Sequence, residues 1–446
     1  MSGAVRMPVA ICPATLARAG AWSLMLSSCS PTPAPAPATW PAGAPPVRNT
    51  LIIVIDTLRD DVARSAATPH MDTLAGRGHR VGHAWSAGTW TVPSVISLLT
   101  GMPVRQHGWD QGSARMGQYA PLPDVPTIAT VLSGAGVVCD GLYANPYLSE
   151  DLGFSRGFRS WKRTGDTQLA QQLGQLVETT WTADSRHLAY VHLLGPHSPL
   201  KPSPEARARH GLGDPTDDHW FSGRHGLTIG QAKRGQEPNV RPTYAQAYAA
   251  AVEDTDVLLG AIVAALGPHR DQTLVVLTSD HGELLGEHGT FGHGWWLWQP
   301  LTRVPLIVDH PGLTAAQEEL PPALSNAAVP WLVTSAMGIS TDWSVDLSTG
   351  RTLAAQREGR LAISPDNGLT KLIWDERLRP EGPVLIDLQL DPQEQSPSAA
   401  PTADPTRAAF DAKFPAGHIG AATTTLDAAT HEKLQSLGYL DGGSDQ

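Results

Sequence analysis

Short apolar runs rich in β-branched residues recur along the chain, and they constrain its fold more than any other feature. The sequence places these runs at 49–56, 187–194, 272–280 and 303–310. Runs of this length and composition are typical of strands that are buried on both faces. Helical patterns at 68–78 and 244–267 separate some of them. Because strands that alternate with helices form sheets covered on both sides, the pattern predicts an α/β fold with a mostly parallel central sheet.

Two of these runs end on side chains that can bind a metal or move a proton. Asp56 closes the first run, and Asp280 with His281 closes the third. Ligands of open parallel sheets bind beyond the carboxyl ends of the strands. We therefore expect these acids and the imidazole to lie at one edge of the sheet. A helical apolar run begins near Thr91, and this threonine is either an ordinary residue at the start of a helix or a nucleophile.

The length of the chain and a change in its residue pattern near 340 predict two folded parts. A chain of 446 residues that is 41% hydrophobic suffices for one large domain with a smaller companion. From about 340 onward, short strand patterns joined by turn residues, as at 360–394, predict a small antiparallel sheet. We expect a main domain over 48–340 and a C-terminal subdomain over 341–446. The long polar segment at 197–243 is typical of an active-site wall.

The charge of the chain argues against nucleic acid as a partner. Acidic residues number 43 and basic residues 32, which gives a net charge of -11. A protein that binds phosphate backbones carries a basic patch, and no basic cluster in this sequence offsets the negative charge.

The N-terminal region is predicted to direct export and anchoring rather than to join the fold. A short apolar stretch after basic residues suits a signal peptide over 1–28. The sequence LSSC resembles a bacterial lipobox in which Cys29 carries the lipid, and a Pro/Ala-rich tether over 29–47 follows it. An ordinary signal peptide is the alternative. The lipoprotein interpretation predicts an exported protein held by Cys29 at the bacterial cell envelope, facing the periplasm or the cell surface.

A series of motifs resembles the sulfatase family within the alkaline phosphatase superfamily. In chain order the motifs include NTLIIVIDTLRDD, TPHMDTLAGRG, TWTVPSVISLLTG, HLLGPHSPL, LTSDHGELLGEHG, FGHGWWLWQPLTRVPLIV and LIDLQLDPQE. Their order and spacing carry the resemblance, which covers nearly all of 49–440. It implies an alkaline-phosphatase-like, three-layer α/β/α fold with a small C-terminal antiparallel subdomain.

The resemblance also implies the residues of the site. Asp56, Asp280 and His281 take the positions of ligands to one divalent metal ion, and Thr91 takes the position of a ligand that is also the nucleophile. Carboxylates, an imidazole and an alkoxide suit Ca, Mn or Zn, and they lack the thiolates of a structural zinc site.

Two histidines fall where the family places side chains that contact the substrate. His197 in GPHSP and His293 in FGHG are therefore predicted catalytic residues, with a loop histidine bonded to the backbone as the alternative for each. Asn145 is a candidate wall residue. His107 and His288 are expected to be structural, and Arg303 is expected to be a buried partner of another residue.

The chain departs from the family pattern at the nucleophile. Sulfatases carry Cys or Ser there, oxidised to formylglycine, but this chain carries Thr91, followed by Val95 where the family has arginine. Threonine cannot form that aldehyde, so no formylglycine is expected. Formylglycine releases sulfate by elimination, whereas a threonine ester must be cleaved by attack at its central atom, which phosphorus tolerates better than sulfur. The resemblance associates threonine nucleophiles with phosphodiesterases, phosphonate hydrolases and phosphoglycerol-type transferases.

These observations predict a metal-dependent hydrolase of phosphodiesters or phosphonates, or a transferase of a phospho head group, that acts through a covalent intermediate on Thr91. The expected substrate is a small-molecule ester or an ester of an envelope glycan or lipid. One alternative is a sulfate-ester hydrolase that works without formylglycine. Another is a lipid-anchored binding protein whose catalytic site has decayed.

Overall fold

The computed structural model describes residues 44–110, 118–213, 240–313, 320–341, 343, 353–417 and 424–436. The predicted signal peptide, Cys29 and most of the predicted tether lie outside these residues, as does the part of the polar segment at 214–239. Within the described ranges, no helix combines the length and the apolar character that crossing a membrane requires.

The strands and helices below are numbered in chain order. The strands are β1 (Asn49–Ile55), β2 (His79–Arg80), β3 (His83–Trp85), β4 (Gln118–Tyr119), β5 (Val137–Tyr143), β6 (Ser160–Arg163), β7 (Arg186–Leu193), β8 (Thr273–Thr278), β9 (Leu284–Leu285), β10 (Phe291–Gly292), β11 (Leu306–Asp309), β12 (Ala323–Ser325), β13 (Leu353–Arg357), β14 (Arg360–Ser364), β15 (Thr370–Trp374), β16 (Val384–Asp387), β17 (Ser398–Ala399) and β18 (Thr424–Thr425). The α-helices are α1 (Asp60–Ser65), α2 (Pro69–Arg77), α3 (Thr91–Thr100), α4 (Val104–His107), α5 (Ile128–Gly134), α6 (Asp166–Thr180), α7 (Pro204–Arg209), α8 (Val240–Ala264), α9 (Gln299–Thr302), α10 (Val329–Ala336), α11 (Pro405–Lys413) and α12 (Ala428–Ser436).

The central sheet has seven strands in the order β2-β11-β8-β1-β7-β5-β6. Strands β8, β1, β7, β5 and β6 are parallel to one another, whereas β11 and β2 extend the sheet by antiparallel pairing. The mostly parallel sheet predicted from the apolar runs is therefore confirmed. The register pairs Ile55 with Leu193 and Val54 with Thr278, so β1, β7 and β8 end at the same edge.

The side chains of β1 alternate between two hydrophobic cores, one on each face of the sheet. Ile52 and Val54 pack into a core that also holds the apolar residues of α3. Leu51, Ile53 and Ile55 pack on the opposite face, in a core shared with α2 and α8. A strand turns successive side chains to opposite faces, so a strand that is apolar at every position needs cover on both sides. The result is the expected three-layer α/β/α arrangement.

A second, five-stranded sheet follows in the order β13-β14-β15-β16-β17, and its pairs are all antiparallel. Its core residues, including Leu353 and Ile373, cluster with Trp85 and Trp298 from the preceding part of the chain. The small C-terminal antiparallel sheet predicted from the sequence is thus present. It packs beside the segment that contains His293 and so borders the candidate site described next.

Candidate active site

The two acids predicted from the strand ends lie together at the carboxyl edge of the central sheet. Asp56 follows β1 directly, Asp280 follows β8 after one intervening residue, and both are completely buried. The backbone N–H of Thr57 donates to Oδ1 of Asp280 at 3.2 Å and so joins the two strand ends. Burial raises the pKa of both carboxyls, and the charge of Asp56 raises the pKa of Asp280 further. Two buried carboxylates that lie close together need a compensating positive charge.

The His281 ring faces both acids with the nitrogen that carries no proton. Its Nδ1 lies 2.9 Å from the carbonyl oxygen of Gly282, and a carbonyl can only accept, so the proton sits on Nδ1. Its Nε2 lies 3.6 Å from Oδ1 of Asp56 and 3.5 Å from Oδ2 of Asp280. Burial lowers the pKa of His281 well below its usual value, and His293 lowers it further. A lone pair directed at two carboxylate oxygens is repulsive unless a cation lies between them.

A second imidazole, which the sequence analysis did not predict, completes the cluster. His192 lies near the end of β7, completely buried, on the face of that strand that it shares with Tyr190. Its Nδ1 lies 2.9 Å from the Tyr190 hydroxyl, and its Nε2 lies 3.6 Å from Oδ2 of Asp56. Ligand atoms of Asp56, His192 and Asp280 lie within 4.8 Å of one another. A histidine inside an otherwise apolar strand was the available sequence signal.

The donor atoms of this cluster fit a divalent cation. Four buried atoms have no hydrogen-bond partner among the described residues: Oδ1 of Asp56, Oδ2 of Asp280, Nε2 of His281 and Nε2 of His192. Buried polar atoms are nearly always paired, so four such atoms that converge on one place indicate a missing positive partner. Atoms that each bind one ion at about 2.1 Å are about 3–4 Å apart. Nε2 of His281 lies 3.5–3.6 Å from an oxygen of each acid, and Nε2 of His192 lies 3.6 Å from Asp56. The mixed oxygen and nitrogen set admits Ca, Mn or Zn but does not select one.

Thr91 begins α3, and a single amide links it to the acids. Oδ1 of Asn145 accepts from the backbone N–H of Tyr147 at 2.9 Å, which turns the amide nitrogen toward the site. That nitrogen donates to Oδ2 of Asp56 at 2.5 Å and to the Thr91 hydroxyl at 3.2 Å. The residue named only as a wall candidate from the sequence therefore bridges the predicted nucleophile and a predicted metal ligand.

The loop before Thr91 is held by hydrogen bonds that fix where the helix starts. The Ser94 hydroxyl accepts from the backbone N–H of Gly88 at 3.1 Å and lies 3.1 Å from the Ser86 hydroxyl. Trp90 is extended, and α3 ends at Gly101 in the left-handed conformation that favours glycine. Thr91 is thus the first helical residue, where the partial positive charge of a helix N-terminus stabilises an anion. The two roles proposed for this threonine are compatible.

The two predicted catalytic histidines lie beside this cluster. The His293 ring is centred 4.5 Å from the ring of His281 and 5.0 Å from the ring of His197. Nδ1 of His197 bonds to the carbonyl of Ser198 at 2.5 Å, so the neutral ring keeps its lone pair on Nε2. Burial lowers the pKa of His197 to about 4. This imidazole is therefore neutral near pH 7, in the form that accepts a proton.

The pKa of His293 is shifted in the opposite direction because its ring pairs with Glu283, an acid that was not predicted from the sequence. Oε2 of Glu283 lies 3.0 Å from Nδ1 of His293, and Glu283 is almost completely buried. Burial opposes the charged form of His293, but the charge and hydrogen bond of Glu283 outweigh it and raise the pKa. The pKa values of the two neighbouring imidazoles are thus shifted in opposite directions, as those of an acid and a base are in one site.

Comparison with known proteins decides the family. The sequence matches the sulfatase family over residues 48–330. The chain belongs to the sulfatase family. Human iduronate 2-sulfatase is 23% identical over 344 residues, a match that covers 61% of this chain and 61% of the human enzyme. This sulfatase-family chain spans between 14% and 61% of the length of the curated relatives that it matches.

Solved structures share the fold of this sulfatase-family protein. A 2-O GAG sulfatase has a TM-score of 0.62 and 18% identity, with 82% of this chain and 90% of that chain covered. A phosphonate monoester hydrolase from Silicibacter pomeroyi has a TM-score of 0.59 and 18% identity, with 82% and 93% covered. At such low identity the likeness shows the fold alone, and it confirms the predicted architecture. Asp56, His192 and Asp280 of this sulfatase-family protein lie close enough together to hold a metal ion.

Other residues singled out in the sequence lie outside the acid cluster. Arg303 pairs with Asp60 at 3.1 Å, although its side chain is only partly buried. The His288 ring stacks on Trp298 with the centroids 4.2 Å apart. His107 is buried and bonds to Ser97 at 3.0 Å. The contacts of His107 and His288 are structural, as expected, whereas Arg303 has the expected partner but is less buried than expected.

Proposed function

We propose that this sulfatase-family protein cleaves phosphoesters, either phosphodiesters or phosphonate esters, or transfers a phospho head group, through a covalent phosphothreonine on Thr91. The observation that carries the proposal is the Asn145 amide, which holds the Thr91 hydroxyl 3.2 Å away while it bonds to Asp56 at 2.5 Å. A hydroxyl fixed beside a cluster of metal-binding acids at a helix start has the position of a nucleophile.

His197 is the proposed base for the first step. The Asn145 amide donates to the Thr91 oxygen, so the hydroxyl proton of Thr91 points to another acceptor. Nε2 of His197 carries the lone pair because Nδ1 donates to Ser198. The Thr91 oxygen forms a bond to phosphorus as its proton passes to Nε2 of His197.

His293 is the proposed acid. Glu283 holds the Nδ1 side of the ring at 3.0 Å, which orients Nε2 and stabilises the protonated imidazolium. The bond from phosphorus to the departing alcohol breaks, and the alcohol oxygen takes the proton from Nε2 of His293. In the second step, water or an alcohol attacks the phosphothreonine and gives its proton to His293, which the first step left neutral. The bond from phosphorus to the Thr91 oxygen breaks, and that oxygen recovers its proton from His197.

A divalent cation held by Asp56, Asp280, His281 and His192 would lower the pKa of the Thr91 hydroxyl and neutralise charge on the ester oxygens. The helix N-terminus at Thr91 adds partial positive charge at the same place. Asn145 has a different task, because it fixes the orientation of the hydroxyl.

The preference for phosphorus rests on Thr91 itself. A threonine ester cannot collapse to an aldehyde, so the covalent adduct must leave by attack at its central atom, and phosphorus accepts that attack more readily than sulfur. One of the structural neighbours is named a phosphonate monoester hydrolase and another a 2-O GAG sulfatase, so the fold accommodates both ester classes. An ester of an envelope glycan or lipid is the proposed natural substrate, which fits the lipid anchor proposed at Cys29.

Trapping the adduct tests the proposal. The Mn-loaded protein is mixed with bis(4-nitrophenyl) phosphate, quenched, and measured as an intact mass and as peptides. We expect a phosphoryl adduct on the peptide that contains Thr91, and none in Thr91→Val. Thr100→Val, a buried threonine at the other end of the same helix, is the matched control and keeps the adduct. An adduct on another residue, or turnover by Thr91→Val at the wild-type rate, refutes the covalent mechanism.

A sulfate-ester hydrolase is the second candidate, favoured by the family match over 48–330. The rates with 4-nitrophenyl sulfate and with bis(4-nitrophenyl) phosphate separate the two, because both release the same alcohol. Faster release from the sulfate would overturn the preference for phosphorus while leaving the role of Thr91 in place.

A further inference from the structure

We propose that Trp295 is a stacking surface for a sugar ring of the substrate, at the entrance to the candidate site. The inference rests on the ester chemistry proposed at Thr91 and adds to it the class of the group that the ester carries. Trp295 is 52% exposed, although a large aromatic side chain gains free energy when it is buried.

Trp295 lies close along the chain to the most exposed of the proposed site residues, His293. The acids and His281 are completely buried, whereas the His293 side chain keeps 13% of its surface exposed. Trp295 follows His293 after a single glycine, Gly294, at which an added Cβ would lie 3.6 Å from Cβ of Trp90. Trp90 in turn precedes Thr91. The backbone that carries the indole therefore lies between two site elements. On one side Gly294 approaches Trp90, which precedes the nucleophile, and on the other it follows the proposed acid His293 directly.

Two arginines hold the backbone that carries the indole. Nε of Arg357 donates to the carbonyl of Gly294, and Nη2 of Arg377 donates to the carbonyl of Trp295 at 2.7 Å. The Arg357 guanidinium, which is almost completely buried, also lies 5.8 Å from the centre of the Trp295 ring and 5.5 Å from that of Trp90. An exposed ring on so constrained a backbone is preorganised for a ligand, because little conformational entropy remains to be lost on binding.

The charges around the indole favour a neutral, hydroxyl-bearing ring. Arg357 pairs with Glu358 at 3.1 Å, and Arg377 pairs with Asp375 at 2.5 Å, so each cation has a carboxylate beside it and no net positive patch attracts an anion. The Glu358 carboxylate, whose side chain is 32% exposed, can also accept hydrogen bonds from hydroxyl groups. A sugar ring offers both an apolar C–H face for the indole and hydroxyls for this acceptor, whereas an aromatic ring without hydroxyls offers only a face.

A matched pair of esters tests the inference. Glucose 6-(4-nitrophenyl phosphate) and methyl 4-nitrophenyl phosphate release the same alcohol and differ only in the group that stays on phosphorus. We expect Trp295→Ala to lower kcat/KM for the sugar ester about 5- to 30-fold and for the methyl ester less than about 2-fold, in line with the weight of one aromatic stacking contact. Trp295→Phe keeps a ring and retains most of the rate. Leu390→Ala, which alters another exposed apolar side chain, leaves both rates unchanged.

The alternative results are distinct. An equal loss on both esters means that Trp295 only supports the fold and overturns the inference. A selective loss on phenyl 4-nitrophenyl phosphate, with none on the sugar ester, assigns the surface to aromatic rings and overturns the sugar assignment.

A binding measurement separates this inference from the proposed function. Calorimetry on the Mn-loaded protein compares glucose 6-phosphate with inorganic phosphate. We expect Trp295→Ala to weaken the binding of glucose 6-phosphate about 5- to 30-fold and to leave the binding of inorganic phosphate unchanged. That result would support the stacking surface even if the protein turned over no ester. If the sugar phosphate binds no better than phosphate in the wild type, the inference fails.

Discussion

Replacing Tyr248 by phenylalanine tests how the backbone holds the acids in place. Thr57 has φ of 57°, a left-handed conformation that is a genuine outlier for a β-branched residue. Its N–H donates to Oδ1 of Asp280, and the Tyr248 hydroxyl donates to the Thr57 carbonyl at 2.5 Å while it accepts from the Arg59 N–H at 3.1 Å. The tyrosine hydroxyl therefore holds a strained turn that orients a predicted metal ligand.

The size of the effect follows from these bonds. Tyr248→Phe leaves two buried backbone groups without this partner. At about 1–3 kcal/mol for each group, the free energy of unfolding falls by about 2–6 kcal/mol. Relaxation of Thr57 out of the left-handed region returns about 1–2 kcal/mol of strain. The turn is then free to move its N–H away from Asp280. Loss of a group that orients a ligand weakens metal binding about 10- to 100-fold.

Urea unfolding and calorimetric titration with Mn measure the two effects separately. Tyr244→Phe is the matched control, because Tyr244 lies on the same helix and is buried, but its hydroxyl bonds to Ser198 instead of the Thr57 turn. We expect the control to lose some stability and to keep the wild-type metal affinity. If Tyr248→Phe loses stability but binds Mn as tightly as the wild type, the turn does not position Asp280 and the reasoning fails.

Two further predictions follow from the described contacts. Asn145→Ala removes the amide that donates to Thr91 and Asp56. Because an oriented donor is lost, kcat/KM measured by steady-state kinetics should fall about 10²- to 10³-fold. A fall of less than about 3-fold would contradict the role of Asn145 as a bridge. Burial lowers the pKa of His107 to about 3, so below about pH 6.5 the unfolded chain takes up a proton that the native state resists, and stability falls as the pH falls. By pH 5 this group lowers the free energy of unfolding by about 2 kcal/mol. Urea unfolding from pH 7 to pH 5 should therefore show a smaller fall in the free energy of unfolding for His107→Gln than for the wild type. An identical fall in both proteins would contradict this role of His107.

The sheet edge and its acids could be predicted from the sequence because they depend on a simple pattern. A strand that is apolar at every position must be covered on both faces, and parallel strands end at one edge, so Asp56 and Asp280 had to lie near each other. The same reasoning did not reach His192. Its neighbours Val191 and Leu193 face the other core, and the apolar pattern of the strand gives no sign that the polar side chain between them reaches Asp56.

Glu283 and Asn145 lie in segments without a periodic pattern, so no role could be predicted for Glu283 and only a general one for Asn145. Glu283 acts through a hydrogen bond to His293, ten residues later, and its partner depends on how the loop between them folds. Asn145 follows β5 and reaches Thr91, which is 54 residues away along the chain. The lipid anchor at Cys29, the tether over 29–47 and the preference for phosphorus are predictions that depend on the sequence.

The most direct test of the account is the position of a bound cation. Crystals grown with Mn and measured by anomalous diffraction would locate the ion independently of the chemistry of the substrate. We expect one anomalous peak between Asp56 and Asp280, with the carboxylate oxygens about 2.0–2.3 Å from the peak. Nε2 of His192, Nε2 of His281 and the Thr91 hydroxyl should be nearest among the remaining side chains. A peak elsewhere, or none at saturating Mn, would contradict a site in which Thr91 and the two acids share one metal.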